Sequence, residues 1–385
     1  MHFFINQTLV KIKSTTKSYF LIFLFIILFT SSTVHMTALS KLTFILVVLI
    51  VLSQSFSFPK RFPTFWQNTV QSNQDDQASL RYQTLYFDQK VSHYNFQQTG
   101  KTFKQKYLLD TTNWDKASKG PILMYCGNEG PIEMFYKNSG WYNDYVSKDL
   151  KGMIVYPEHR YFGSSWPFGD EKTSFLKENL VYLTTEEALM DFVEFIKFLK
   201  KQYCEDCPVI VFGGSYGGML ASWIRMKYPN VVDFAHAASA PIYYYRNRQG
   251  LDLGVFFQIV TKNYEMHSSN CADVIREAFA RLSKYATQTT APINDLTGFF
   301  NLCKPLKSYK DIPLLMQYLN DGYSYMAMLN YPYPTAFLKN LTAWPANSSC
   351  IPIDSVNPKS SDRDLFTAVR KSVEYYYSFG KSQCN

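Results

Sequence analysis

The five residues Gly213-Gly214-Ser215-Tyr216-Gly217 restrict the fold more than any other stretch of this chain. They follow Val209-Ile-Val-Phe212, a short run rich in β-branched residues that reads as a buried strand. They open Tyr216 to Tyr228, which reads as a helix stopped by Pro229. A strand that turns straight into a helix brings two backbones close together, so the serine at the corner needs small neighbours. The turn leaves the serine hydroxyl at the carboxyl end of the strand, beside the positive end of the helix dipole. This is the setting of a nucleophile elbow. In it Ser215 is the candidate nucleophile and the Tyr216 N–H a candidate oxyanion donor. The five letters alone also fit a glycine-rich turn that binds phosphate or nothing; the flanking strand and helix favour the nucleophile.

The surrounding pattern extends the argument. Pro121 to Tyr125 and Gly152 to Tyr156 are compact apolar runs, and Val231 to Ala240 reads as a further buried strand. Between Thr184 and Tyr203 the apolar residues Ala188, Leu189, Phe192, Phe195, Ile196 and Leu199 recur at helical spacing. Strands alternating with helices predict a mainly parallel sheet covered on both faces. After about Tyr245 the periodicity is helical, most clearly from Asn270 to Tyr285 and from Asp362 to Tyr377. The expected organisation is a leader over 1–57, an α/β domain over 58–245 and a helical domain over 246–385. In an α/β-hydrolase the loop after an earlier strand supplies the second oxyanion donor. Cys126-Gly127-Asn128-Glu129-Gly130 follows such a strand, which makes Gly127 and Asn128 candidates, although a plain turn uses the same residues.

Such a serine also needs a base, and an acid to orient it. Only His236 and His267 follow Ser215. His236 sits in an apolar run where a strand-end histidine is expected, and His267 lies early in the helical region. His159 precedes the serine. The motif alone therefore completes no triad.

Net charge is +8 for the whole chain; residues 1–57 hold four lysines and no acid, which leaves +4 for the remainder. The remaining basic residues form no dense run, which argues against a nucleic-acid partner. The apolar runs Tyr19 to Thr30 and Leu42 to Leu52 are each shorter than the roughly 18 residues of a membrane span. Lys41, the second run and Ser55-Phe56-Ser57 have the parts of a signal peptide, predicting a mature chain from near Phe58 without a membrane span; a retained anchor built from both runs is the alternative. Met36 is an alternative start. The seven cysteines suit export; an odd number leaves at least one unpaired within the chain. Cys204-Glu-Asp-Cys207 is a local disulfide or a redox motif, with the disulfide preferred, and no matching half completes a zinc site. Asn340-Leu-Thr342 and Asn347-Ser-Ser349 are glycosylation acceptors in an exported chain.

With these residues in view, the chain resembles the S28 serine peptidases. The likeness runs from about Tyr82 to the C-terminus. It rests on Gly127-Asn-Glu-Gly130, Glu158-His-Arg-Tyr-Phe-Gly163, Phe212-Gly-Gly-Ser-Tyr-Gly-Gly-Met-Leu220, Arg225-Met-Lys-Tyr-Pro229, Ala237-Ala-Ser-Ala-Pro241 and Asn330-Tyr-Pro-Tyr-Pro334. The resemblance implies an α/β-hydrolase fold interrupted by a helical SKS-type insertion. It implies a secreted or lysosomal/vacuolar exopeptidase that cleaves peptides beside proline, in either the carboxypeptidase or the dipeptidyl peptidase direction. It makes Ser215 the nucleophile and Met219 a proline-pocket residue, and implies no metal or organic cofactor. It pairs Cys271 with Cys350 and Cys303 with Cys384, and casts Glu158, His159 and Arg160 as packing residues. In the family the catalytic Asp and His follow the insertion, whereas this sequence stops at Cys384-Asn385 within the matching region. The expectation is a truncated hydrolase with an incomplete sheet, slowed by a factor on the order of 10⁴ or more. A lipase or esterase of the same fold, or a non-catalytic peptide binder, are the rival readings. Oligomeric state is not readable.

Overall fold

The computed structural model describes residues 81–244, 250, 252, 254–288, 293–378 and 384. The leader, its cleavage site and the alternative start lie outside these residues. The chain divides between residues 251 and 252 into two compact units.

The first unit is built on a six-stranded sheet of order β1-β2-β4-β3-β5-β6. The strands are β1 (Gln83–Lys90), β2 (Thr102–Asp110), β3 (Ile122–Tyr125), β4 (Met153–Pro157), β5 (Val209–Gly214) and β6 (Phe234–Ala238). β1 pairs antiparallel with β2 from Gln83↔Leu109 to Lys90↔Thr102, and β2 pairs antiparallel with β4. β4, β3, β5 and β6 run parallel. Strands β3 and β4 are buried along their whole length, which is why they read as unbroken apolar runs. The sheet is mixed because β1 and β2, which the sequence pattern does not single out, form its antiparallel side. This strand order with a serine directly after β5 is the α/β-hydrolase arrangement.

The longer helices are labelled in chain order. α1 (Thr185–Gln202) buries Ala188, Leu189, Phe192, Phe195, Ile196 and Leu199 against the sheet, and the Thr184 hydroxyl caps it by accepting from Glu187 N–H. α2 (Ser215–Lys227) packs Leu220, Ala221 and Ile224 into the same core. Because β3, β4 and β5 are parallel and adjacent, the segments following them emerge at one edge of the sheet. These are residues 126–130, 158–165 and the Ser215 corner.

The second unit is helical. Its longer members are α3 (Val255–Glu265), α4 (Ser269–Thr287), α5 (Ile312–Met328) and α6 (Asp362–Tyr377). Leu282, Leu319, Met326, Phe366, Val369 and Val373 are fully buried. Gly322 lets α5 and α6 approach: a Cβ there would lie 2.4 Å from Val373 Cγ2. Disulfides join Cys271 to Cys350 and Cys303 to Cys384, while Cys204–Cys207 closes a short loop in the first unit. Among the described residues, no helix is long and apolar enough to cross a membrane.

Candidate active site

The site starts from the backbone of Ser215. Its φ is 54°, the left-handed region that a residue with a Cβ adopts only at a cost of about 1–3 kcal/mol. Gly214, still extended, ends β5, and the helix begins at the serine itself. The glycines around it are demanded by contact. A Cβ on Gly213 would lie 2.4 Å from the Gly217 carbonyl carbon, and one on Gly217 would lie 2.5 Å from the Cys126 oxygen. The corner is therefore closed on both sides by backbone, and its serine is exposed.

The loop after β3 is the second wall. Cys126 N–H donates to the Phe212 carbonyl (2.7 Å), which holds the end of β3 against β5. The Asn128 side chain then bridges to the elbow: its Nδ2 donates to the Gly214 carbonyl at 3.3 Å, and its Oδ1 accepts from the Tyr125 hydroxyl at 3.0 Å. Gly127 rests on the loop after β4, since a Cβ there would lie 2.3 Å from the Pro157 oxygen and 2.9 Å from the His159 nitrogen. Ser215, Tyr216, Gly127 and Asn128 thus share one small region at the carboxyl ends of β3 and β5. Tyr125, whose hydroxyl orients Asn128, gave no motif signal of its own.

Glu129 lies in the same loop, half-buried, and burial raises its carboxyl above the ordinary value. Among the described residues no cation pairs with it. Cys126 is the unpaired cysteine, buried, and burial pushes its thiol well up.

Glu158, His159 and Arg160 follow β4 and all three are buried. Glu158 pairs with Lys106 Nζ at 2.9 Å and accepts from Ser164 N–H (2.8 Å) and the Ser165 hydroxyl (2.7 Å). Gly163, at φ +59°, leaves room for that carboxylate. Arg160 uses all five of its N–H donors. Two go to the Asp191 carboxylate at 2.7 and 2.6 Å. The other three go to the carbonyls of Val91, Tyr182 and Lys90. His159 joins a different partner: its Nε2 lies 3.1 Å from the Tyr216 hydroxyl and its Nδ1 lies 2.6 Å from the Arg160 carbonyl. Burial lowers its pKa to about 4.

The other described histidines are engaged elsewhere. His93 Nε2 donates to Asp191 (2.8 Å), His236 Nδ1 contacts the Tyr142 hydroxyl (2.9 Å), and His267 Nε2 lies 3.3 Å from Asp354. His236 is a partly buried β6 residue opposite Phe212. Met219 lies on the buried side of α2 and is 9% exposed. Asn340 and Asn347 are exposed in the second unit. Among the described residues no group of three or more His, Cys, Asp or Glu side chains could hold a metal ion.

Comparison with known proteins adds to this geometry. The family model described as serine carboxypeptidase S28 matches residues 89–385. The lysosomal Pro-X carboxypeptidase of Homo sapiens is 42% identical over 310 residues, 80% of this chain and 60% of its own length. That of Mus musculus is 37% identical over 345 residues, 88% of this chain and 68% of its own. The prolyl carboxy peptidase like protein 5 of Caenorhabditis elegans is 36% identical over 282 residues, 72% of this chain and 54% of its own. The chain thus spans between 54% and 68% of the length of these relatives. The matched region takes in the elbow, the loop after β3, the Glu158–Gly163 run and the helical unit, and this chain belongs to the serine carboxypeptidase S28 family.

Proposed function

We propose that Ser215 is the nucleophile of a serine exopeptidase that hydrolyses peptide bonds beside proline in the secretory pathway, in a lysosome-like or extracellular compartment. The observation that carries the reading is Ser215 held in the left-handed conformation at a strand-to-helix corner, with the β3 loop locked against it. Structure is spent there on an exposed hydroxyl, which packing alone does not require. The Pro-X carboxypeptidase names of the relatives support the proline preference. Three disulfides suit an oxidising compartment.

In the reaction the Ser215 oxygen bonds to the scissile carbonyl carbon, the C–N bond breaks, and the serine proton passes to the leaving amine; water then hydrolyses the acyl-enzyme. The developing oxyanion would be met by the Tyr216 N–H and by the backbone of Gly127–Asn128, because the Asn128 side chain is already committed to Gly214. Met219 would flank the proline. None of the four described histidines contacts Ser215, so none of them is its base in this arrangement. That same observation favours a second reading, a peptide binder without turnover.

A fluorophosphonate probe separates the two. With the 385-residue chain, in which no described histidine contacts Ser215, we expect slow labelling; mass spectrometry should place the adduct on Ser215, and Ser215→Ala should abolish it. Binding of a proline-containing peptide to a chain that never labels at Ser215 would establish the binder, and labelling by acyl-ester probes without any prolyl-peptide binding would establish an esterase.

A further inference from the structure

We propose that His159 is a positioning residue of the elbow: as a neutral imidazole it carries its proton on Nδ1 and uses its Nε2 lone pair to hold the Tyr216 hydroxyl. The proposal rests on the reading of Ser215 as nucleophile. Its consequence is that one buried residue holds the wall that carries Tyr216 while lying against the loop that forms the other.

Three observations lead there. A backbone carbonyl only accepts hydrogen bonds, so the 2.6 Å contact to the Arg160 oxygen fixes the proton on Nδ1. A neutral ring with its proton there has a bare Nε2, and the Tyr216 hydroxyl at 3.1 Å is its donor. The ring stays neutral because it is buried; of the charged groups acting on it, Asp191 favours and Arg160 opposes protonation. Its ring packs against those of Phe162 and Tyr216.

The second observation is backbone contact. The His159 nitrogen lies where a Cβ on Gly127 would approach to 2.9 Å. His159 therefore lies with its main chain close against the loop that carries Gly127 and Asn128. It braces the residue after the nucleophile through its ring. The third observation is separation: residues 127, 159 and 216 come from the ends of three different strands, and no contact within one segment could hold them together.

The variants follow from side-chain reach. His159→Gln places an acceptor near the position of Nε2 and can keep Tyr216. His159→Asn reaches only the position of Nδ1, keeps the Arg160 carbonyl and loses Tyr216. Tyr216→Phe removes the hydroxyl with little change of volume. Two readouts on the full 385-residue chain test the proposal. In ¹⁵N-histidine spectra, the signal lost in His159→Gln should show protonated Nδ1 and bare Nε2 from pH 7 to pH 5. Its Nε2 resonance should move in Tyr216→Phe. An Nε2-protonated or charged ring at pH 6, or no shift in Tyr216→Phe, overturns the assignment. In fluorophosphonate labelling, His159→Asn and Tyr216→Phe should each slow the rate constant of the bound probe about tenfold, the worth of one buried hydrogen bond, with probe affinity unchanged. The double variant should be no slower than either single one, and His159→Gln should recover most of the rate. Unchanged labelling in both single variants overturns the positioning role and leaves the nucleophile intact. Absence of labelling in the unaltered chain overturns the nucleophile reading instead, whatever the spectra show.

Discussion

The two units are held together by different means. The sheet unit buries ions: Arg160, Asp191, Glu158, Lys106 and Glu187 all lie inside it, and its one disulfide spans only three residues of separation. Among its described residues the helical unit buries a single carboxylate, Glu374, paired with Arg370 at 2.9 Å, and it is closed by disulfides spanning 79 and 81 residues. A buried ion pair contributes little net stability but fixes geometry, because removing one partner strands the other. A long-range disulfide acts mainly on the unfolded chain. The unit that carries the elbow is the one whose interior is specified by charge and direction. The contrast teaches that the two units answer to different insults.

The largest expected effect tests the ionic side. Asp191→Ala leaves the buried Arg160 guanidinium with Glu187, 3.4 Å away, as its remaining ionic partner and removes the partner of His93, and should destabilise the sheet unit by about 3 kcal/mol in urea unfolding. A loss below 1 kcal/mol would mean that the network is dispensable and the contrast is false. Next comes the covalent side. Replacing Cys271 and Cys350 together by Ser should cost about 2–4 kcal/mol and loosen the helical unit, with proteolysis concentrating after residue 252. Cleavage appearing first in the sheet unit would break the comparison. The smallest effect sharpens it at the one carboxyl of the elbow region that lacks a cation. Burial raises the pKa of Glu129 above the ordinary 4.5, so the folded state favours its protonated form. Its contribution is favourable below pH 4.5 and is lost as pH rises through the raised value. Glu129→Gln should therefore stabilise the chain at pH 7 and have little effect at pH 4, read as the difference in urea-unfolding midpoints at the two pH values.

Much of the framework is readable from local pattern. The helix expected from Asp362 to Tyr377 has those limits in the structure, and the helices around Thr184–Tyr203 and Asn270–Tyr285 agree within two residues. The elbow is readable because its requirement is local: small residues on either side of one serine. β1 and β2 form no compact apolar run in the sequence because polar residues that the fold buries interrupt them, among them Gln89, Gln105 and Lys106. The expected strand from Val231 to Ala240 shortens to Phe234–Ala238 because Tyr228 to Val232 close the end of α2 with turn hydrogen bonds. The ionic network was out of reach for a different reason. Asp191 alone reaches partners 31 and 98 residues away, and no periodicity encodes a partner at that distance. The sequence marks Glu158-His159-Arg160 as a motif; only the fold shows that Tyr216 is what His159 holds.

Three successive side chains after β4 serve three partners that do not overlap: Lys106, Tyr216 and Asp191. None of the three sites accepts its neighbour's residue, since one needs an anion, one a neutral acceptor and one a five-pronged cation. This run therefore has a reading frame in space as well as in the gene. A single inserted or deleted residue between Pro157 and Arg160 would hand every partner the wrong chemistry at once. Substitution can alter this segment one position at a time, but its length is closed to drift.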